Sequence, residues 1–311
     1  MRSLSVAMLV WWVSWEREIS LRSWAYVAQQ LQRAWYTVTT IEQDGSWVRE
    51  RTDLDSFDCI FPVVHGEWWE DGQIAARANQ IWVPRVWCDA QSSYLCYDKL
   101  LCKQRCEHWW VAVAPYAILR SNHLPTWSWV QQWLWDHVFV KALNQWSSQW
   151  VWSVRSESDY NSAIEWVFAY WPMALIEKAI HWREIEVAVA WSWDGQTISV
   201  PWEIITWTDG WYSHEEKYAT QSTAQTVVWA ELTTAQHEYL RTLTKTIWQI
   251  LWCAGMRRCD YFLDKQWEFI FNEINTIPGF TSISLYPKLL KASWIPPIEL
   301  MHALINWAMD R

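Results

Sequence analysis

Glycine is the residue that lets a backbone turn left-handed or lie directly against another atom. This chain of 311 residues holds 7 glycines and 33 tryptophans, where about 22 glycines are ordinary for the length. Any fold it adopts must therefore place indoles where tight turns normally sit. The stretch Lys141-Ala-Leu-Asn-Gln-Trp-Ser-Ser-Gln-Trp150 makes the problem concrete. The apolar run Val138-Phe139-Val140 ends in a lysine and enters a small-residue loop. That is the usual form of a phosphate cradle, built from backbone N–H groups. Trp146 and Trp150 bracket Ser147 and Ser148 where glycine is expected.

Hydrophobic residues make up 51% of the chain and charged residues 19%, a globular balance rather than a disordered one. The length implies two or three domains with real cores. A net charge of −9 without a basic tract excludes a general nucleic-acid surface. The seven cysteines contain no CxxC pair. Cys102 and Cys106 lie one helical turn apart, but nothing completes a zinc pattern, so buried reduced thiols of a cytosolic protein are expected. The apolar run at residues 4–12 is closed early by Glu16, Arg17 and Glu18, without a cleavage site. No uncharged run reaches the roughly 20 residues of a membrane span. A soluble cytoplasmic protein with no membrane partner is expected.

Strand, helix, strand, strand describes the opening: β-prone residues 5–10, helical spacing over 19–34, then extended runs at 36–41 and 59–64. This alternation implies a parallel sheet with covering helices. Residues 98–108 read as a helix and 111–119 as extended, with strands following at 138–141, 174–178, 184–190 and 197–205. Residues 206–230 lack periodicity, and loops of that length are often functional. Thr233-Thr-Ala-Gln236 forms a capping box, opening a helix whose inner side carries Leu240, Leu243, Ile247, Ile250 and Leu251. Strands at 258–263 and 268–275 follow, joined by a turn at 264–267.

Simple alternation along the last strand puts Phe269, Phe271, Glu273 and Asn275 on one side, with the two oxygen ligands about 7 Å apart by strand rise. Arg258 and Asp260 share a face of the partner strand. Such oxygens suit Mg²⁺, which takes one or two carboxylates plus substrate phosphates. From spacing alone, a hairpin with one solvated charged face is the commoner arrangement. Likewise Lys99 and Lys141 alone are more often solvated or salt-bridged, Glu177 and Glu184 more often surface charges, and Tyr218 more often a packing residue. His65 beside Gly66 fits an ordinary turn about as well.

Order along the chain changes that balance. The run at 272–288, NEINTIPGFTSISLYPK, resembles the C-terminal signature of D-alanine–D-alanine ligases, in the ATP-grasp superfamily. SWEREISLRS at 14–23 resembles the family's first loop and helix, VVHGEWWEDG at 63–72 its His-Gly turn, and CYDKLLCKQ at 96–104 with VAVAPY at 111–116 the start of its central domain. ALIEKAIHWREIEVAV at 174–189 resembles the adenine-binding hinge, and HEEKY at 214–218 the mobile loop. The resemblance spans nearly the whole chain.

It implies a three-domain α/β ATP-grasp architecture: an N-terminal parallel α/β substrate domain at 1–97, a central domain at 98–182 and a C-terminal catalytic domain at 183–311. It implies joining of two D-alanines with ATP through an acyl phosphate, for peptidoglycan precursors of the cell wall, and is compatible with a homodimer. Lys99 and Lys141 would neutralise phosphate charge, and Glu177 would meet the adenine amino group beside backbone of Lys178 and Ile180. Glu184 would hold the ribose, and Asp260, Glu273 and Asn275 would hold two Mg²⁺ or Mn²⁺ ions. Glu16 would pair with the first D-alanine's ammonium, and His65 would lie near its carboxylate. Ser284 and Leu285 would receive the second carboxylate, and Arg258 with the Gly279 N–H would stabilise the oxyanion. Ser147 and Tyr218 would link the mobile loop to Glu16, closing it over the substrates.

Measured against that resemblance, tryptophan mostly stands where the family has glycine. The positions are Trp11, Trp12, Trp24, Trp35, Trp68, Trp69, Trp82, Trp87, Trp110, Trp146, Trp150, Trp182, Trp202, Trp252, Trp267 and Trp294, while Trp229 resembles a replaced proline. An altered ligase sequence is the reading. Its rival is a catalytically silent scaffold whose phosphate loop is filled by the indoles of Trp146 and Trp150.

Overall fold

The computed structural model describes residues 3–11, 17–43, 53–66, 69–144, 151–180, 183–192, 195–205, 225–281 and 284–311. Its first layer is the expected parallel sheet. Strand β1 (Ser5–Trp11) lies between β2 (Thr37–Gln43) and β3 (Cys59–Pro62), with α1 (Arg17–Arg33) crossing from β1 to β2. A central parallel strand is covered on both faces, and Val6 to Val10 are accordingly all buried. Helices α2 (Gln73–Gln80) and α3 (Ala90–Tyr97) follow.

Asp98 caps α4 (Lys99–His108) by accepting from the Leu101 N–H. A second, antiparallel sheet then forms from β4 (Tyr116–Arg120), β5 (Val138–Ala142), β6 (Val151–Val154) and β7 (Met173–Lys178), in the order β4-β7-β5-β6. Helices α5 (Trp127–Leu134) and α6 (Glu157–Phe168) close its core over Val138, Val140 and Ile176. Of the extended segment expected at 111–119, only the part beyond Pro115 is strand. Its first half instead makes a single bridge, Val113 beside Phe271.

The third sheet runs β11 (Gln225–Val228), β10 (Trp202–Ile205), β8 (Arg183–Ser192), β12 (Arg257–Leu263), β13 (Phe269–Asn275), with β9 (Gly195–Ile198) on β8. The single strand expected at 197–205 is thus two, divided around Pro201, which has no N–H for a ladder. Helix α7 (Thr234–Ile250) begins with the expected capping box, Thr233 and Gln236 bonding each other's backbone. Helices α8 (Leu285–Ala292) and α9 (Pro297–Met309) return to the first layer, where Leu289, Leu304 and Ile305 share a core with Val6 and Phe61. All seven cysteines are buried and reduced. Among the described residues no helix is long and apolar enough to cross a membrane.

Two further sequence expectations fail for local backbone reasons. The alternation placing Phe269 and Phe271 with Glu273 and Asn275 is broken by a β-bulge. Tyr261 pairs with Phe271 but Asp260 pairs with Glu273, so Asn272 is the extra residue. A bulge shifts the pleat by one residue. Phe269 and Phe271 therefore join the core with Tyr261 and Ile274, while Glu273 and Asn275 share the face of Asp260 and Arg258. Trp229, which resembles a replaced proline, has φ +65°, a value the pyrrolidine ring forbids.

Tryptophan at left-handed backbone is general here. Among the described residues every non-glycine with positive φ is a tryptophan: Trp35, Trp82, Trp110, Trp135, Trp229, Trp252, Trp267 and Trp294. Six of them end helices, five through one shared pair of hydrogen bonds and Trp135 at the end of α5. Trp35 N donates to Gln32 O while Tyr36 N donates to Leu31 O, and the same pair of bonds closes α2 at Trp82, α4 at Trp110, α7 at Trp252 and α8 at Trp294. This is the Schellman motif, whose left-handed residue is usually glycine. Trp135 has φ 103° and ψ 171°, a region essentially reserved for glycine. Trp24, Trp87 and Trp202 are absent from this group, having ordinary φ.

Candidate active site

Three elements bring together the two lysines expected to meet phosphate. Lys99 opens α4 and is 8% exposed. Lys141 lies on β5 and Glu177 on the adjacent β7, where antiparallel register sets Phe139 opposite Glu177 and Lys141 opposite Leu175. Lys141 and Glu177 thus sit diagonally on one face, the separation long side chains bridge, and they form an ion pair. The second oxygen of Glu177 lies 3.1 Å from Lys103 Nζ. Burial alone would raise the Glu177 carboxyl, but Lys103 and Lys141 hold it down to about 2. Burial drives Lys99 down to about 8, opposed by Glu273 and reinforced by Lys141. Glu177 and Glu70 also pull it upward, so lysines and acids from four elements share one electrostatic neighbourhood.

Lys103 is absent from the sequence-derived site. The available signal was its place one helical turn after Lys99, facing the same way. Lys178 leaves this cluster: its Nζ lies 4.6 Å from the centre of the Trp135 ring, and its N–H donates to Pro115 O. Ile180 follows β7, and Glu184 lies on β8 opposite Phe262 and Ile204.

On the third sheet an acidic row crosses three strands. Glu186 pairs in register with Asp260, and Asp260 with Glu273. Arg258 grips Asp260 through two bonds of 2.8 and 2.7 Å, and its Nε lies 3.1 Å from Glu186 Oε2. Glu186, 1% exposed, is the second functional candidate missed; its alternation with Glu184 on one strand face was legible. Those acids hold Arg258 charged far above its usual range, although burial opposes it. Asn275 opposes Arg258 and accepts from the Ile277 N–H at 3.2 Å. The donor chemistry fits a hard cation: two directly opposed carboxylates and an amide oxygen, leaving phosphate oxygens to complete the shell. Among the described residues no cluster of three His, Cys, Asp or Glu side chains forms a protein-only metal cage.

Ser284 stands at the N-cap position of α8 without a side-chain cap bond, its Oγ lying 2.7 Å from Thr281 Oγ1. A Cβ at Gly279 would come 3.0 Å from that Oγ, so the chain packs closely there. Leu285 follows as the first residue of α8, where N–H groups and the helix dipole favour a carboxylate. His65, 8% exposed, precedes Gly66, which turns at φ 95° and donates to Glu70 Oε2 at 2.7 Å. Glu16, Ser147 and Tyr218, with the indoles at 146 and 150, lie outside the described residues.

Two antiparallel sheets, one presenting lysines and the next an acid row, with a parallel domain alongside, define an ATP-grasp fold. The family model described as "D-ala D-ala ligase C-terminus" matches residues 107–306. D-alanine--D-alanine ligase A of Salmonella typhimurium is 36% identical over 260 residues, 83% of this chain and 71% of its own length. The Coxiella burnetii enzyme is 32% identical over 272 residues, 82% of this chain and 69% of its own. The crystal structure of D-alanyl-alanine synthetase A from Vibrio cholerae superposes with a TM-score of 0.89 over all of both chains, at 28% identity. The chain belongs to the D-alanine–D-alanine ligase family.

Proposed function

We infer that the chain joins two D-alanines at the expense of ATP, with the nucleotide between the second and third sheets. One observation carries the reading: Lys99 lies within electrostatic reach of Lys141, Glu177 and Glu273, linking the phosphate lysines to the metal face. Residues 1–97, 98–182 and 183–311 serve as substrate, central and catalytic domains, and buried reduced thiols match a cytoplasmic setting. A solved Bacillus anthracis ligase of the same fold, TM-score 0.83, was captured with ATP.

A carboxylate is a poor acyl donor until one of its oxygens becomes a phosphate leaving group. The first D-alanine's carboxylate attacks the γ-phosphorus, releasing ADP and forming an acyl phosphate. The second D-alanine's amine then attacks the acyl carbon and phosphate departs. Phosphoryl transfer is mainly positioning and charge neutralisation, which Lys99 and Lys141 supply. Arg258, its charge secured by Asp260 and Glu186, faces the developing oxyanion with the Gly279 N–H. Glu177 with backbone of Lys178 and Ile180 orients adenine, and Glu184 the ribose. Glu16 and His65 hold the first D-alanine, Ser284 and Leu285 the second, and Ser147 with Tyr218 closes the loop. Asp260, Glu273 and Asn275 would hold Mg²⁺ or Mn²⁺ ions, which neutralise phosphate charge when bound. Release of phosphate from ATP that requires D-alanine, with D-alanyl-D-alanine as product, tests the reading. Absence of the dipeptide despite nucleotide binding returns the silent scaffold.

A pH signature follows. Lys99 must be an ammonium to hold phosphate, and its value of about 8 means the charge is lost as pH rises through that region. kcat/KM for ATP should fall above about pH 8, and Lys99→Arg should move the limb upward. Stability runs the opposite way. Between about 8 and the ordinary lysine value near 10.4 the unfolded chain binds more protons, so folding strengthens with pH. A thermal melt that loosens in parallel with the lost activity would remove Lys99 as the cause.

A further inference from the structure

The first inference rests on the nucleotide-site reading above. Lys103 is 3% exposed and its Nζ lies 3.1 Å from Glu177 Oε2, while Lys141 holds Oε1. One buried carboxylate thus faces two ammonium groups. A phosphate that draws on Lys141 competes with Glu177 for its ammonium, and a buried carboxylate that loses a partner is strongly disfavoured. We propose that Lys103 is a positioning residue that keeps Glu177 compensated, so that Lys141 is exchangeable between Glu177 and the nucleotide phosphates. Lys103 touches neither substrate; it acts through Glu177.

The test compares Mg²⁺-bound AMP-PNP with adenosine by calorimetry in the parent, Lys103→Met, Lys103→Arg and Lys99→Met. Lys103→Met should lose roughly tenfold in AMP-PNP affinity (a change of about 1.4 kcal/mol) while adenosine binding holds. Lys103→Arg should recover most of the loss. Lys103→Gln, which retains a hydrogen-bond donor for Glu177, makes the same comparison where the Met variant unfolds. Equal losses for both ligands, or none, overturn the proposal. If Lys99→Met weakens AMP-PNP binding and Lys103→Met does not, Lys103 is wrong and the nucleotide site stands. A parent that binds neither ligand overturns both.

A second inference has independent support in the backbone. Five helices end in a glycine motif with tryptophan at its left-handed position, and Trp135 occupies glycine-only backbone. At Trp35, Trp82, Trp110 and Trp294 the indole is 86–96% exposed, so no packing gained by the side chain accounts for its presence. Trp87 and Trp202, buried, find no acceptor for their indole N–H groups among the described residues, which a native core rarely tolerates. One codon, UGA, is a stop in the standard code, tryptophan in some bacterial codes and glycine in others. We propose that these positions are UGA codons and that the cell that makes this protein reads them as glycine.

The gene and the protein isolated from that cell decide it. Peptides spanning positions 35, 82, 110, 135, 252 and 294 should each be lighter by the difference between an indolylmethyl side chain and a hydrogen, over UGA codons. UGG at these positions, or tryptophan masses over UGA, would overturn it.

Discussion

Replacing Trp35, Trp82, Trp110, Trp252 and Trp294 together by glycine is expected to raise the unfolding free energy by up to about 5 kcal/mol, at roughly 1 kcal/mol for each left-handed residue relieved. Each position already makes both hydrogen bonds of its helix-ending motif, so the substitution changes strain and leaves the bonding intact. The added freedom of glycine in the unfolded chain acts the other way by about 0.4–1 kcal/mol per site, so the net gain lies below that ceiling. The five sites end five different helices, and distant sites add. Urea unfolding should show a higher midpoint with an unchanged slope. Trp24→Gly is the control. It sits inside α1 with ordinary φ and donates to Thr40 Oγ1 at 2.8 Å, so glycine there should destabilise by about 1 kcal/mol. A gain at Trp24 equal to those at the helix ends would mean that removing exposed indole, rather than backbone strain, is what matters.

Much of this architecture was legible because its signals are local. The strand–helix alternation of the first layer, the Asp98–Lys99 helix start and the Thr233–Gln236 box need only neighbouring residues. The left-handed set was partly legible as well: six of the eight tryptophans at positive φ stand at expected glycine positions. Trp135 escaped because nothing in its neighbours marks the end of α5, and Trp229 because a turn following a strand suits proline and glycine alike. Longer-range features were hidden. The bulge at Asn272 depends on which residue of β12 each residue of β13 meets, and no pattern within one strand carries that. Lys103 and Glu186 gain their roles from partners on β7 and β12, far away in sequence. In each case the residue type was visible and its partner was not.

The bulge also sharpens what Glu273→Gln should do. By turning Glu273 away from Phe271 and onto the face of Asp260, it makes two carboxylates of adjacent strands directly opposed. Like charges so placed repel, and the arrangement persists because Arg258 grips Asp260; in the proposed complex both acids would hold a divalent ion that offsets their charge. Removing one charge at constant shape relieves the repulsion, so stability should hold or rise slightly. Catalysis should fall by at least roughly a hundredfold, since metal-borne charge stabilisation is worth several kcal/mol. A second readout separates this from general damage. Glu273 raises the Lys99 value against burial, so its neutralisation lets that value drop further. The alkaline fall in nucleotide binding should then begin at lower pH than in the parent. Activity near the parent level that still depends on Mg²⁺ would take Glu273 out of the metal site. A large loss with an unmoved alkaline limb would keep it there but sever its coupling to Lys99.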